Sequence, residues 1–146
     1  MSHQHILLTG GTGLIGQQLT GMLLAEGYTV SCLSRHPARQ QGVKTFAWNV
    51  AKKQIDENCI AGVDVIVHLA GADIAGKRWT DKRKKEIIDS RAGAIRLIYD
   101  LLKNKKHQVK RVISASGISY YGSRGDQVQT EDCPPACDFL GKCCAE

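Results

Sequence analysis

The feature that most constrains this chain is the segment Thr9-Gly10-Gly11-Thr12-Gly13-Leu14-Ile15-Gly16. It contains Gly10-x-x-Gly13-x-x-Gly16 and, overlapping it, Gly11-x-Gly13-x-x-Gly16. The segment follows His5-Ile6-Leu7-Leu8-Thr9, an apolar run that reads as a buried strand. It opens a stretch in which Leu14, Ile15, Leu19, Met22 and Leu23 recur at helical spacing, up to a stop at Glu26-Gly27. A glycine turn between a strand and a helix is the context that gives such a motif meaning. Missing side chains let the backbone approach a pyrophosphate, and the helix N-terminus adds partial positive charge. Gly10, Thr12, Gly13, Leu14, Ile15 and Gly16 are therefore the first candidate cofactor-binding residues.

The rest of the chain continues the alternation. Tyr28 to Leu33 and Val43 to Trp48 read as strands, and Val63 to Leu69 reads as a strand buried on both faces. Thr80-Asp81 opens a long helix with the stripe Ile87-Ile88, Arg91, Ala94-Ile95, Ile98 and Leu101-Leu102. Arg111 to Ala115 is a fifth strand, and Phe139-Leu140 with Cys143-Cys144 is spaced like the inner face of a further helix. Strands joined by helical crossovers give an α/β fold: a Rossmann-type, doubly wound parallel sheet with helices on both faces. The 146 residues suit one modest core, so residues 1–146 are read as one dinucleotide-binding domain. Such a fold usually runs to a sixth strand, so the chain is expected to stop short of its last strands.

Composition narrows the function classes. Hydrophobic residues make up 42% and charged residues 23%, a folded-protein balance. No run of about 18 apolar residues exists to span a membrane, and Met1-Ser2-His3-Gln4-His5 has neither a basic leader nor a cleavage site. A cytoplasmic setting with reduced thiols is the expectation for the six cysteines. Cys133-x3-Cys137 is the one zinc-like spacing, but adjacent Cys143-Cys144 do not make a second knuckle, so no metal is assigned. Residues 77–111 carry thirteen bases against four acids. With Trp79 the only aromatic near the densest cluster, this reads as a solvated helix face and an anion-handling loop, and no nucleic-acid partner is assigned.

The end of the second strand separates the two nicotinamide dinucleotides. NAD binders usually place a carboxylate there for the ribose 2′-hydroxyl. This chain has Leu33-Ser34-Arg35-His36, with no carboxylate. Arg35 suits a 2′-phosphate, with Ser34 or Arg39 assisting, and the expected cofactor is NADP(H).

These residues resemble the extended short-chain dehydrogenase/reductase superfamily, and within it the atypical "epimerase family protein" group of nucleoside-diphosphate-sugar epimerase relatives. The match rests on the glycine motif, Leu33-Ser34-Arg35, His68-Leu69-Ala70-Gly71 and Ile74-Ala75-Gly76-Lys77-Arg78-Trp79-Thr80. It also includes Asp89-Ser90-Arg91, Ser114-Ala115-Ser116, Tyr120-Tyr121-Gly122 and Glu131-Asp132-x-Pro134. The resemblance implies that Leu69, Ala70 and Gly71 lie beside the phosphate and ribose of the cofactor, and Ser114 to Ser116 near the nicotinamide. It also implies an NADP-dependent oxidoreductase or epimerase acting on a small polar substrate, of which nucleotide sugars are one class.

The superfamily's catalytic pattern is only partly present. Its members use a Ser or Thr, a Tyr, and a Lys four residues after the Tyr, the cation lowering a phenol pKa of about 10. The tyrosine position here is Phe139 and the lysine position is Cys143, with Lys142 one residue off the spacing. Tyr99-x-x-x-Lys103 has the spacing but precedes the fifth strand, on the wrong helix. Ser116 stands for the family serine, and Tyr121 is the candidate acid/base in place of the missing tyrosine. Lys77 is read as an anion contact and Trp79 as a packing anchor for the following helix. An enzyme with a non-standard site and a catalytically silent, redox-sensing NADP(H) module both remain open at this level.

Overall fold

A computed structural model describes residues 4–37 and 42–146. Met1 to His3, part of the segment read for a leader, and Arg39 lie outside the described residues. The chain falls into two compact units, Met1–Ser114 and Ala115–Glu146.

The first unit begins with β1 (His5–Thr9), α1 (Leu14–Ala25), β2 (Thr29–Ser34) and β3 (Val43–Asn49), then β4 (Gln54–Ile55) and β5 (Val65–His68). It continues through α2 (Asp81–Ile88), a π-turn at Asp89–Gly93, α3 (Ala94–Asn104) and β6 (Arg111–Ser114). The sheet order is β4-β3-β2-β1-β5-β6, parallel except where β4 pairs antiparallel with β3. This is the Rossmann-type doubly wound arrangement. The order reverses at β1, which lies between β2 and β5, and ligands of such sheets bind beyond the strand ends at that point.

Strand alternation builds the two sides of the core. Leu7 faces a cluster with Leu33, Phe46, Trp48, Ile66 and the α3 residues Ala94, Ile98 and Leu101. Ile6 and Leu8 face the other way, with Val30, Cys32, Val43 and Val65, covered by Leu19, Leu23 and Leu24 of α1. Each such side chain contributes up to about 1.5–3 kcal/mol by leaving water.

Four expectations need correction. β4 is an additional strand and antiparallel, because only a short turn separates it from β3. No helix joins β2 to β3 among the described residues, so this crossover is not helical there. The long helix is interrupted by the π-turn. The apolar stripe of α1 is buried only in part: Leu19 and Leu23 pack on the core, whereas Leu14, Ile15 and Met22 are 91%, 68% and 59% exposed. Gly16 and Thr20 face inward instead, because the helix start is pressed against the glycine turn.

Helix ends follow sequence chemistry. Thr80 Oγ1 accepts from the Arg83 N–H at 3.2 Å and caps α2. Gly27, at φ +82°, closes α1: its N–H donates to the Leu24 carbonyl and that of Tyr28 to the Leu23 carbonyl, both at 3.0 Å.

The second unit holds a short 3₁₀ turn (Ile118–Tyr120) and α4 (Phe139–Ala145). Asp138 Oδ1 caps α4 by accepting from the Gly141 N–H at 2.7 Å. Arg124 ties the preceding loop together, donating to the carbonyls of Tyr121 and Pro134 at 3.1 and 2.7 Å.

Candidate cofactor site

The glycine turn is built by backbone contact. Gly10 has φ +72°, and a Cβ there would lie 2.9 Å from the Ala70 nitrogen, so the turn rests directly on the chain leaving β5. At Gly16 a Cβ would fall inside contact distance of the Gly10 carbonyl oxygen and 2.7 Å from the Gly11 Cα. The Gly13 N–H donates to the Gly10 carbonyl at 3.0 Å, and Gln17 Nε2 donates to the Thr12 carbonyl at 2.8 Å. Gly13 caps α1 without a side chain, and the first turn of α1 holds no acid. Its leading N–H groups, at Leu14 and Ile15, thus meet no carboxylate from their own helix, which suits an anionic ligand.

Thr9, fully buried, links β1 to β5. Its Oγ1 accepts from the Ala70 N–H at 3.1 Å and lies 2.7 Å from His68 Nδ1. Either the Thr9 hydroxyl or the His68 ring N–H can donate in this contact, since the hydroxyl oxygen has a second lone pair beside the one that accepts from Ala70. The ring stands edge-on to Trp48, with centroids 6.4 Å apart. Burial pushes the His68 pKa below its ordinary 6.5, opposed in part by the Arg91 backbone carbonyl. His68 is therefore a neutral structural group under the site.

The π-turn secures the loop after β5. Ser90 Oγ accepts from the Ala72 N–H and donates to the Ile87 carbonyl, both at 2.9 Å. Arg91 Nη1 donates to the Ala72 carbonyl at 3.1 Å, and its guanidinium covers Gly71, where a Cβ would lie 2.9 Å from Arg91 Cζ. Sequence spacing placed Arg91 in an apolar helical stripe. The wider turn carries Ser90 and Arg91 together onto residues 71–72, and the polar pair within an apolar stripe was the signal for it. Leu69 and Ala70 thus lie against the glycine turn, and Gly71 lies under the Arg91 guanidinium.

At the end of β2, Ser34 Oγ donates to the His36 carbonyl at 3.1 Å and accepts from the His36 N–H at 3.2 Å. This hydroxyl is spent on its own turn and is not the outward-facing assistant expected. Arg35 is exposed. Arg83 pairs with Glu86 at 2.7 Å and holds the Glu86 pKa down, with weaker help from Lys77 and Arg35. The loop leading to α2 is closed by Trp79, whose Nε1 donates to the Ile74 carbonyl at 2.8 Å, and by Arg83, which donates to the Asp73 carbonyl. Trp79 is 41% exposed and ties its own loop through the Ile74 carbonyl.

A pocket of about 50 Å³ opens between the glycine turn and the end of β2, lined by Gly11, Thr12, Ser34, His36 and Thr45 over a floor of Cys32 and Leu33. Burial pushes the Cys32 thiol up to about 11, so it stays protonated. The pocket walls from β3 and His36 were not singled out by sequence.

Ser114 ends β6, exposed, opposite His68 in the sheet register. In the second unit Ser116 is exposed, and the Tyr121 ring stands edge-on to Tyr120 with centroids 5.2 Å apart. Phe139 begins α4, and Cys143, one turn on, is buried. Tyr99 lies 54% exposed on α3, the helix before β6. Among the described residues no three metal-ligating side chains converge.

The NAD dependent epimerase/dehydratase family matches residues 6–138 of this sequence. The chain belongs to this family. Epimerase family protein YfhF of Bacillus subtilis is 37% identical over 88% of the chain, which spans 42% of that relative. The nucleoside-diphosphate sugar epimerase of Corynebacterium glutamicum superposes with a TM-score of 0.79 at 31% identity, over 99% of this chain and 29% of that one. Human epimerase family protein SDR39U1, solved with NADPH, gives 0.77 at 28% identity, over 96% of this chain and 46% of that one. The chain thus spans less than half the length of these relatives.

Proposed function

We propose that residues 1–146 form an NADP(H)-binding domain of an oxidoreductase or epimerase-like protein, acting on a small polar substrate of the nucleotide-sugar kind. The observation that carries this reading is the end of β2, where Ser34-Arg35-His36 offers the Arg35 cation and no carboxylate. What supports an anionic cofactor there is the start of α1, which has neither a capping side chain nor an acid in its first turn. A cytoplasmic setting belongs to the same reading.

Gly10, Thr12, Gly13, Leu14, Ile15 and Gly16 hold the pyrophosphate through backbone N–H groups, and Arg35 meets the 2′-phosphate. Leu69, Ala70 and Gly71 line the ribose, and Ser114 lies toward the nicotinamide. The bound dinucleotide supplies a hydride donor or acceptor. Ser116 and Tyr121 hydrogen-bond the carbonyl or hydroxyl that exchanges the proton. A second reading, a catalytically silent NADP(H) sensor, is favoured by one observation: Phe139 and Cys143 stand where the superfamily's tyrosine and lysine act.

A thermal-shift assay tests the binding claim. NADPH at a hundred times its Kd stabilises the protein by about 2.7 kcal/mol and raises Tm; no shift with NADPH or NADH contradicts the reading. Comparison of Tyr121→Phe with the native protein separates the two functions. Loss of carbonyl reduction with an unchanged Tm shift supports the enzyme, and absence of reduction in both proteins supports the sensor.

A further inference from the structure

The loop that carries Tyr121 returns through Pro134-Pro135, and those prolines set a hydrogen-bonding problem. Where the two arms of the loop meet, the Ala136 N–H donates to the Tyr120 carbonyl at 2.7 Å. The two residues before Ala136 have no N–H, so neither can serve the next carbonyl, that of Tyr121. Arg124 supplies the donors instead. Its Nε donates to the Tyr121 carbonyl at 3.1 Å and its Nη2 to the Pro134 carbonyl at 2.7 Å, so one planar fork ties both arms. The guanidinium makes no ion pair with a carboxylate among the described residues, which leaves these carbonyls as its partners. Tyr121 is tied on its other side as well, its N–H donating to the Ile118 carbonyl at 3.1 Å. Close packing completes the neck of the loop. A Cβ on Gly122 would lie 2.6 Å from Ala136 Cβ, and one on Gly141 would lie 2.7 Å from it, so Ala136 sits in a notch between the tyrosine loop and α4.

We propose that Arg124 is a positioning residue for the reaction: by holding the Tyr121 carbonyl, it sets the place from which the Tyr121 phenol acts. The proposal rests on the acid/base reading of Tyr121 above. A proton-transfer group works only within hydrogen-bond reach of its target, and a misplacement of about 1 Å can cost about a hundredfold in rate. Tyr121 lies just past the 3₁₀ turn and outside any α-helix, so the neck of the loop has to supply the order that a helix would give. Arg124→Lys keeps the positive charge, but a single ammonium does not reproduce a fork that spans two carbonyls. That variant therefore separates positioning from charge.

The test compares native protein, Arg124→Lys and Arg124→Ala in the NADPH-dependent reduction of phenanthrenequinone, a general carbonyl probe. Fluorine NMR of each protein carrying fluorotyrosine at position 121 reports the placement of the ring without any turnover. The expected result is a kcat about tenfold lower in both variants, a KM for NADPH within about twofold of native, and a broadened or split fluorine resonance. Arg124→Lys carries the test should Arg124→Ala not fold. Native kcat and a native resonance in Arg124→Lys would overturn the proposal. A KM for NADPH that rises as far as kcat falls would make Arg124 a general structural residue and overturn it too. Native protein that reduces no quinone is a separate outcome: it overturns the acid/base reading of Tyr121, and the proposal falls with it.

Discussion

The glycine turn and the segment 115–146 are both loop-rich, yet they are specified in different ways. At the turn, Gly10 and Gly16 are required by neighbouring backbone, and the buried Thr9 hydroxyl fastens Ala70 and His68. In the second unit the constraints fall on Gly122, Gly141 and Arg124, which shape the loop. The chemistry-bearing candidates Ser116 and Tyr121 are held less tightly, Ser116 exposed and Tyr121 against Tyr120. The glycine turn is fixed by backbone contact, where a side chain is costly, whereas the proposed catalytic groups Ser116 and Tyr121 stand on loops with fewer such contacts.

Substitutions break or sharpen this contrast in a definite order. Gly16→Ala has the largest effect: its methyl group meets the Gly10 carbonyl and Gly11 Cα, so urea denaturation should show a loss of about 3 kcal/mol together with loss of dinucleotide binding. Thr9→Val strands the Ala70 N–H and His68 Nδ1 in the interior, at a cost of about 1–3 kcal/mol in the same assay. Ser90→Ala removes the partner of the Ala72 N–H, with about 1 kcal/mol lost and faster hydrogen exchange at that amide. Tyr121→Phe keeps the ring against Tyr120 and should leave stability within about 0.5 kcal/mol.

The site also leaves a pH signature. His68 has its pKa lowered on folding, chiefly by burial, as does His5. Below about 6.5 the unfolded chain therefore binds more protons than the native one, so stability falls as pH drops through that value and levels off above it. Denaturation midpoints between pH 5 and 8 should show this slope, and His68→Leu should flatten it. A slope unchanged in His68→Leu would remove His68 from the account.

Local signals were enough for the strand–turn–helix at residues 5–25, because glycine spacing, the apolar strand and the Gly27 stop agree there. The Thr80 cap was legible for the same reason. The first turn of α1 was not, since close backbone packing turns Gly16 and Thr20 inward and leaves Leu14 and Ile15 exposed, although Leu19 and Leu23 of the stripe do pack on the core. The two-residue β4 carries too little pattern to be read from sequence. The π-turn depends on a tertiary partner, the loop at Gly71 and Ala72, which spacing along one helix does not reveal. Of the site, the glycine turn was legible, whereas the pocket needed β3 to bring Thr45 to the same wall as His36.

The most direct test of the central claim follows nicotinamide fluorescence while the protein is titrated in parallel with NADPH and NADH. The account predicts clear preference for NADPH, reduced at least fivefold by Arg35→Ala while NADH binding is little changed. Equal affinity for the two dinucleotides, or a preference for NADH, would contradict it.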